Sequence, residues 1–407
     1  MKRLTFIHAA DLHLDSPFKG LQMSLPSFIF ERMKESSFRS LQKIVDTALR
    51  EKVDFLLFSG DLFDSETRSL RAQSFFREQM KRLLPYGIQV YAIHGNHDYI
   101  GGSGTVLDLP ENVHIFTQPY VETKSFYKDG ELTANLYGFS YHQKAVIESM
   151  VSQYKKQGDA PFHIGLLHGS AEGENEHSRY APFRAADLAE KGFDYWALGH
   201  IHKRQILCTE PPVVYPGNIQ GRHRKETGDK GCYMVSLSAA QSVCTFVPTA
   251  DIVWEELHIS IHGLDTIDEL LRVCSKKINE VRREKEGVLL SVIFTGYGKL
   301  AAQLESEAQL EEVVQILMQE EERDDFVYIV KYENRTLPYE SREQLKRDAF
   351  LGSVIETIDS FQDMKTVLAP LYMQPVARKV LNPFTEEEQA EIMAEAERLL
   401  LQELLKE

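Results

Sequence analysis

Cysteine is scarce in this chain. Cys208, Cys232, Cys244 and Cys274 are scattered over 407 residues with no metal-ligand spacing. That excludes a disulfide framework and a thiolate metal centre, and fits reduced thiols in a cytoplasmic protein. No apolar run approaches the roughly 20 residues of a membrane helix, so no membrane association is expected. The opening Met1-Lys2-Arg3-Leu4-Thr5-Phe6-Ile7-His8 turns polar too soon for a signal peptide. Low-complexity linkers and internal repeats are missing too. Positive charge is short overall, with 46 Lys+Arg against 61 Asp+Glu and a net charge of -15. The deficit has an address. Residues 1–250 hold 28 of each sign, whereas residues 251–407 hold 18 Lys+Arg against 33 Asp+Glu. Charge therefore argues against a nucleic-acid partner for the second part and not for the first, which two bound divalent cations would make net positive.

Apolar residues make up 43% of the chain, enough for sizeable cores, and the length suggests at least two domains. Short apolar runs predict strands at Leu4–Ala9, Phe55–Phe58, Val90–Ile93, Ile164–Leu167 and Tyr195–Leu198. Helix-period stretches at Phe38–Arg50 and Leu70–Leu84 separate the early ones. Strands without intervening helices follow at Val213–Tyr215, Cys232–Leu237 and Val243–Val247. The fold class is α/β, with a mixed sheet or two stacked sheets flanked by helices. Near Pro248-Thr249-Ala250 the pattern restarts. Strands at Val253–Ile261, Val288–Phe294 and Phe326–Lys331 enclose helices at Ile267–Glu284 and Leu304–Gln319, a small βαβαβ unit. The expected domains are 1–250, 251–337 and an acidic helical tail, 338–407. The last helix begins with a capping signal at Thr385, and Met393, Ala396, Leu400 and Leu404 then share one face. That face has three candidate docking sites: this chain's own core, a partner, or a second copy in a homodimer.

Five short motifs carry chemistry, mostly just after a predicted strand: Asp11-Leu12-His13; Gly60-Asp61-Leu62-Phe63-Asp64; Gly95-Asn96-His97-Asp98; His168-Gly169; and Gly199-His200-Ile201-His202. Strand ends are where α/β proteins gather functional groups from distant parts of the chain. The one-residue gap in Asp11/His13 and in His200/His202 lets both side chains of an extended segment point the same way. Gly60, Gly95 and Gly199 permit tight turns and close backbone approach. Imidazole, carboxylate and amide oxygen together suit manganese, iron or zinc. Asp61 is the natural bridge, because one carboxylate can offer an oxygen to each of two ions. Two such ions about 3.5–4 Å apart clamp a phosphate and lower the pKa of a bound water toward neutrality, and the resulting hydroxide attacks phosphorus in line. The remaining histidines, His8, His94, His114, His142, His163, His177, His258 and His262, fit no motif and read as surface or satisfied core residues.

This order of motifs resembles that of calcineurin-like metallophosphoesterases over Asp11 to His202. The resemblance implies a two-sheet αββα metallophosphoesterase sandwich followed by a small α+β capping domain and a helical C-terminal tail. It implies one ion on Asp11, His13, Asp61 and His202, and a second on Asp61, Asn96, His168 and His200. His97 matches the catalytic histidine outside the metal shell, and Asp64 the carboxylate that orients it.

The five motifs do not choose the ester. Tyr215-Pro216-Gly217-Asn218 resembles the Tyr-Pro-Gly-Ser stretch of SbcD-type DNA repair nucleases, with Asn218 in place of serine. A basic loop, Arg222-His223-Arg224-Lys225, with Lys203 and Arg204 upstream, offers contacts to phosphates flanking the scissile one. The opening, Ile7 through Asp15-Ser16-Pro17-Phe18, is most similar to the YhaO branch of that family. The family implies manganese-dependent cleavage of DNA phosphodiesters and pairing with a coiled-coil ATPase of the SbcC type. Some repair nucleases of this class carry histidine where Asp64 stands, so exo- or endonuclease action and strand type stay open. Two other readings stand beside a DNA exonuclease or endonuclease subunit. One is a phosphodiesterase or phosphatase acting on a small nucleotide or a phosphoprotein. The other is a weakly catalytic scaffold that binds DNA or an ATPase.

Overall fold

A computed structural model describes residues 3–18, 25–64, 68–101, 105–172, 180–319, 321–338, 345–361, 363–373 and 384–404. By internal contacts the chain divides into two compact units. The first comprises residues 1–255 with 282–290 and 322–330; the second comprises 256–281, 291–321 and 331–407.

Most strands of the first unit form two six-stranded mixed sheets. The first sheet contains β1 (Arg3–Ala9), β2 (Phe55–Ser59), β3 (Gln89–Ile93), β4 (Val113–Ile115), β11 (Gly231–Ser238) and β12 (Ser242–Pro248), in the order β12-β11-β1-β2-β3-β4. Its strands β1 to β4 are mutually parallel, and β11 and β12 join antiparallel. The second sheet contains β5 (Glu122–Lys128), β6 (Glu131–Gly138), β7 (Phe162–His168), β8 (Tyr195–Gly199), β9 (Gln205–Thr209) and β10 (Pro212–Tyr215), in the order β5-β6-β7-β8-β10-β9. Strand alternation explains the layering. Leu4 and Phe6 of β1, with Phe55 and Leu57 of β2, face Leu136, Ile164, Leu166, Tyr195 and Ala197 of the second sheet. Ile7, Ala9, Leu56 and Phe58 point the other way, onto Phe38, Leu41, Ile44 and Val45 of α1 (Ser27–Glu51) and Phe76 and Met80 of α2 (Leu70–Leu83). The outer face of the second sheet is covered by Tyr154, Phe183, Leu188 and Phe193, with α3 (Ala185–Ala189) among the covering elements. The result is the expected αββα sandwich.

Helix α1 and the β5–β6 hairpin depart most from the sequence expectation in the sandwich. Helix α1 starts 11 residues earlier than its apolar period suggests. In its early turns Ile29 and Met33 are buried against Phe18, Leu25, Trp254, Leu289 and Phe326, partners the local pattern cannot reveal. The β5–β6 hairpin was not expected. Its β5 is mostly polar and half-exposed, yet its turn carries Asp129-Gly130, both with positive φ (53° and 80°), a strong hairpin signal.

Beyond the sandwich, β13 (Ile252–Ser260), β14 (Gly287–Thr295) and β16 (Val327–Asn334) form a three-stranded sheet in the order β13-β14-β16. Between them lie α4 (Ile267–Val281), β15 (Tyr297–Gly298), α5 (Ala301–Leu304) and α6 (Glu307–Leu317). The single helix expected at Leu304–Gln319 is thus two. The short β15 pairs in parallel with β17 (Leu337–Pro338). The helical C-terminal region contains α7 (Ala349–Ser360), α8 (Met364–Met373) and α9 (Glu386–Leu404). In α9, Leu401 is buried among the described residues and packs against Leu345 and Ile355. Leu400 and Leu404 of the expected apolar face are exposed, as is Leu399. All four cysteines are free thiols, and no helix among the described residues is long and apolar enough to cross a membrane.

The sandwich core makes a direct prediction. Phe6 is fully buried, stacked on Phe55 at 5.0 Å and edge-on to Tyr195 at 5.2 Å. Phe6→Ala should cost about 3–5 kcal/mol in denaturant unfolding, whereas Leu400→Ala on exposed α9 should stay within about 0.5 kcal/mol.

Candidate metal centre

The C-terminal ends of the parallel strands β1, β2 and β3 in one sheet, and of β7 and β8 in the other, carry the five motifs. Asp11 and His13 follow β1, Asp61 and Asp64 follow β2, Asn96 and His97 follow β3, His168 ends β7, and His200 and His202 follow β8. Backbone bonds lock the loops together: Asp11 N–H donates to the Gly60 carbonyl and His13 N–H to that of Asp61, at 3.1 and 3.0 Å. The backbone is strained here. Asp11, His13, Asp61 and His200 all have positive φ (51°, 41°, 50° and 101°), which non-glycine residues adopt at a cost and which gathers at functional sites. Close approach also explains a glycine. A Cβ on Gly95 would lie 2.3 Å from Asp61 Oδ1 and 2.6 Å from His168 Nε2.

Asp11, His13, Asp61, Asn96 and His168 are buried, while His97, His200 and His202 are half-buried. Their polar atoms form two neighbouring groups. In one, His13 Nε2 lies 3.0 Å from His202 Nε2, and Asp11, His13 and His202 have ligand atoms within 4.8 Å of one another. In the other, Asn96 Oδ1 lies 3.0 Å from His168 Nε2 and 3.1 Å from His200 Nδ1. Asp61 stands between them, its Oδ2 3.8 Å from His13 Nε2 and 3.5 Å from His168 Nε2. The set His13, Asp61, His97 also comes within 4.8 Å, so His97 borders the cluster.

These residues fit divalent cations. His168 Nδ1–H donates to the Ser59 carbonyl at 2.9 Å, so its Nε2 carries a lone pair, and that lone pair faces the Asn96 amide oxygen and the Asp61 carboxylate. Buried acceptors that face one another need a cation or a proton among them. Buried His13 Nδ1 has no hydrogen-bond partner, with the nearest Asp64 oxygen at 3.4 Å. Burial pushes the Asp11 carboxyl up to about 6, and burial with the nearby Asp98 and Asp11 charges pushes Asp61 well above the usual carboxylate range. Burial also lowers His168 to about 3 and His200 to about 4, so both imidazoles are neutral and ready to act as ligands.

Several residues around the cluster have roles that the motifs alone do not reveal. Asp98 is fully buried and accepts from Gly95 N–H at 2.8 Å, Leu62 N–H at 3.0 Å and His94 Nδ1 at 2.9 Å. Burial alone would raise its pKa, but His94, Arg68 and the Gly95 N–H together outweigh burial and hold it at about 2. Asp98 therefore ties the Asp61 loop to the Asn96 loop. His97 donates its backbone N–H to Asp61 Oδ1 at 2.9 Å, and its Nδ1 lies 3.1 Å from the main-chain carbonyl of Asp64. The expected Asp64–His97 partnership thus runs through the backbone, because the Asp64 carboxylate is taken by Arg222. Glu226, absent from every motif, is 8% exposed and accepts from His202 Nδ1 at 2.6 Å and Asn218 Nδ2 at 2.9 Å. It lies 24 residues beyond His202, in a loop whose signal is charge rather than pattern. His8 and His163 are satisfied core residues, with Tyr195 and Tyr137 as partners. His114 pairs with Gln89, His142 with the Thr117 carbonyl and His258 with Glu256; His177 lies outside the described residues.

Residues 4–204 match the model of the calcineurin-like phosphoesterase family, and residues 254–337 match that of the middle domain of metallophosphoesterase YhaO. Over 404 residues, 98% of each chain, the sequence is 42% identical to the Bacillus subtilis (strain 168) protein named "Uncharacterized metallophosphoesterase YhaO". The chain belongs to the calcineurin-like metallophosphoesterases. More partial likenesses join it to DNA double-strand break repair protein Mre11. That of Aeropyrum pernix is 29% identical over 241 residues, 55% of this chain and 56% of the relative. That of Methanocaldococcus jannaschii is 26% identical over 271 residues, 62% and 68% of the two chains.

The basic residues expected near the metals of this metallophosphoesterase divide into two kinds. Lys203, Arg224 and Lys225 are exposed. Arg204 is exposed too, with its guanidinium carbon 3.7 Å from the Phe246 ring centroid. Arg222 instead turns inward, bonding Asp64 and the Ser16 hydroxyl, the latter at 3.1 Å.

The Asp11 shift sets a pH dependence. Its folded pKa of about 6 exceeds the ordinary 3.8, so its contribution to the metal-free fold is fully favourable below about 3.8 and lost as pH rises through 6. A bound divalent cation offsets the ionised carboxylate and competes with the proton. The gain in melting temperature on adding manganese should therefore be large at pH 7.5 and shrink as pH falls below about 6; differential scanning fluorimetry with and without manganese measures it.

Proposed function

We propose that this metallophosphoesterase is a divalent-metal-dependent phosphodiesterase acting on DNA. The observation that carries the reading is the two-lobed convergence of buried nitrogen and oxygen acceptors on Asp61. Asp11, His13, Asp61 and His202 would hold one ion, and Asp61, Asn96, His168 and His200 the other. Manganese fits this mixed set, as do iron and zinc. When bound, such a pair neutralises charge on the phosphoryl oxygens and supplies a hydroxide nucleophile at neutral pH.

The chain's own residues do the rest. His97, with its Nδ1 proton held by the Asp64 carbonyl, keeps Nε2 for proton exchange with the leaving oxygen. Arg222 balances the Asp64 carboxylate and adds a fixed positive charge at the edge of the cluster. Exposed Lys203, Arg204, Arg224 and Lys225 offer contacts to phosphates flanking the scissile bond. The Mre11 relatives, named for double-strand break repair, support DNA as the substrate class. An SbcC-type coiled-coil ATPase belongs to the same reading, with the α9 face of Met393, Ala396, Leu400 and Leu404, of which Leu400 and Leu404 are exposed, as its docking surface.

Metal-stripped protein reloaded with manganese should cleave end-labelled single- or double-stranded DNA. His97→Ala should lower the rate at least 100-fold while keeping its metal content by elemental analysis. Cleavage of small nucleotides with no cleavage of either DNA would move the substrate away from DNA.

A further inference from the structure

Glu226 and Asn218 lie between the stretches matched by the two family models, and neither belongs to the five motifs that supply the cluster. We propose that Glu226, held by Asn218, is a positioning residue for His202, fixing which of its ring nitrogens is turned into the metal cluster. This rests on the metal-site reading above.

An imidazole with one ring proton has two tautomers, and only the unprotonated nitrogen can bind a cation. His202 Nε2 is the nitrogen on the cluster side, 3.0 Å from His13 Nε2. Its Nδ1 faces Glu226 Oε1 at 2.6 Å. An ionised carboxylate only accepts, so this short contact requires the His202 proton on Nδ1 and leaves the Nε2 lone pair in the cluster.

Glu226 is held in that state by its other contacts. Its Oε2 accepts from Asn218 Nδ2 at 2.9 Å and from the Arg222 backbone N–H at 2.6 Å. His223 Nε2 lies 3.5 Å from Oε1. Its hydrogen-bond partners are thus all donors, while the buried Asp11 carboxylate is the nearby like charge. Asn218 is almost fully buried, and its amide also donates to the Gln220 carbonyl at 2.8 Å. The amide therefore points at the carboxylate with a fixed orientation. Serine, the residue in the related Tyr-Pro-Gly-Ser stretch, has a shorter side chain and no amide N–H to give. Arg222 is the hinge of the arrangement. Its backbone holds Glu226 on the His202 side while its side chain holds Asp64 on the His97 side, so one loop braces both edges of the centre. A carboxylate that orients a ligating histidine is worth roughly 10–100-fold in metal affinity.

Glu226→Gln is the discriminating change, because it keeps size and burial but brings an NH2 group. Asn218 and Arg222 N–H demand the amide oxygen on their side, which turns the NH2 toward His202. His202 Nδ1 must then accept, and its proton moves to Nε2. Nitrogen-15 NMR of the histidine rings in metal-free full-length protein reads this directly. Wild type should show His202 protonated at Nδ1, and Glu226→Gln at Nε2. Manganese titration should then show one of the two ions bound about 10–100-fold more weakly in Glu226→Gln. Glu226→Asp should recover part of the loss. Asn218→Ala should weaken the same ion less, and it keeps the idea testable if Glu226 variants do not fold. An unchanged His202 tautomer, or wild-type affinity for both ions, would overturn the proposal. Because the tautomer is read without metal, failure of wild type to bind manganese would count against the metal-site reading and leave this result standing by itself.

Discussion

The constraint on which the site depends is the burial of two carboxylates, Asp11 and Asp61, in one cluster with neutral imidazoles. Each would be expensive alone, since a desolvated carboxylate without a counter-charge shifts its pKa or recruits a cation. Here both shift upward even with Arg222 nearby to oppose the shift. The backbone contributes to the same cost. Positive φ at Asp11, His13, Asp61 and His200 stores about 1–3 kcal/mol per residue. The strain is borne by the sandwich beneath it, where Phe6, Phe55, Phe58, Tyr195 and Trp196 are fully buried and the loops grow from parallel neighbouring strands.

Around the cluster runs a set of residues that brace it without joining it. Ser59 fixes His168, Asp98 fastens the Asp61 and Asn96 loops, Glu226 faces His202, and Arg222 holds Asp64. Each replaces a freedom that would blur the ligand geometry with a hydrogen bond that sets it. A two-metal hydrolase needs this, because transition-state stabilisation falls steeply when charged groups are misplaced by about 1 Å.

Much of this was legible in the sequence, for physical reasons that can be named. Strands β1, β2, β3, β7 and β8 read clearly because both faces are buried and their apolar runs are nearly continuous. The cluster read clearly because metal ligands must be specific residue types at strand ends. What escaped was whatever depends on contacts distant in the chain. The early turns of α1 are buried by Trp254 and Phe326, far along the sequence. Glu226 is an ordinary glutamate until the fold brings it to His202. The bond from His97 to Asp64 goes to a main-chain oxygen, which no side-chain pattern encodes. The burial of Leu401 is likewise set by Leu345 and Ile355, which lie far from it in the chain.

If Asp61 joins two cation sites at the ends of the two sheets, titration of metal-stripped protein with manganese, followed by calorimetry and by electron paramagnetic resonance of the bound ions, should show it. Two equivalents per chain are expected, magnetically coupled through a shared ligand, with both lost or uncoupled in Asp61→Asn. A single equivalent, or two ions that stay bound and coupled when Asp61 is replaced, would contradict it.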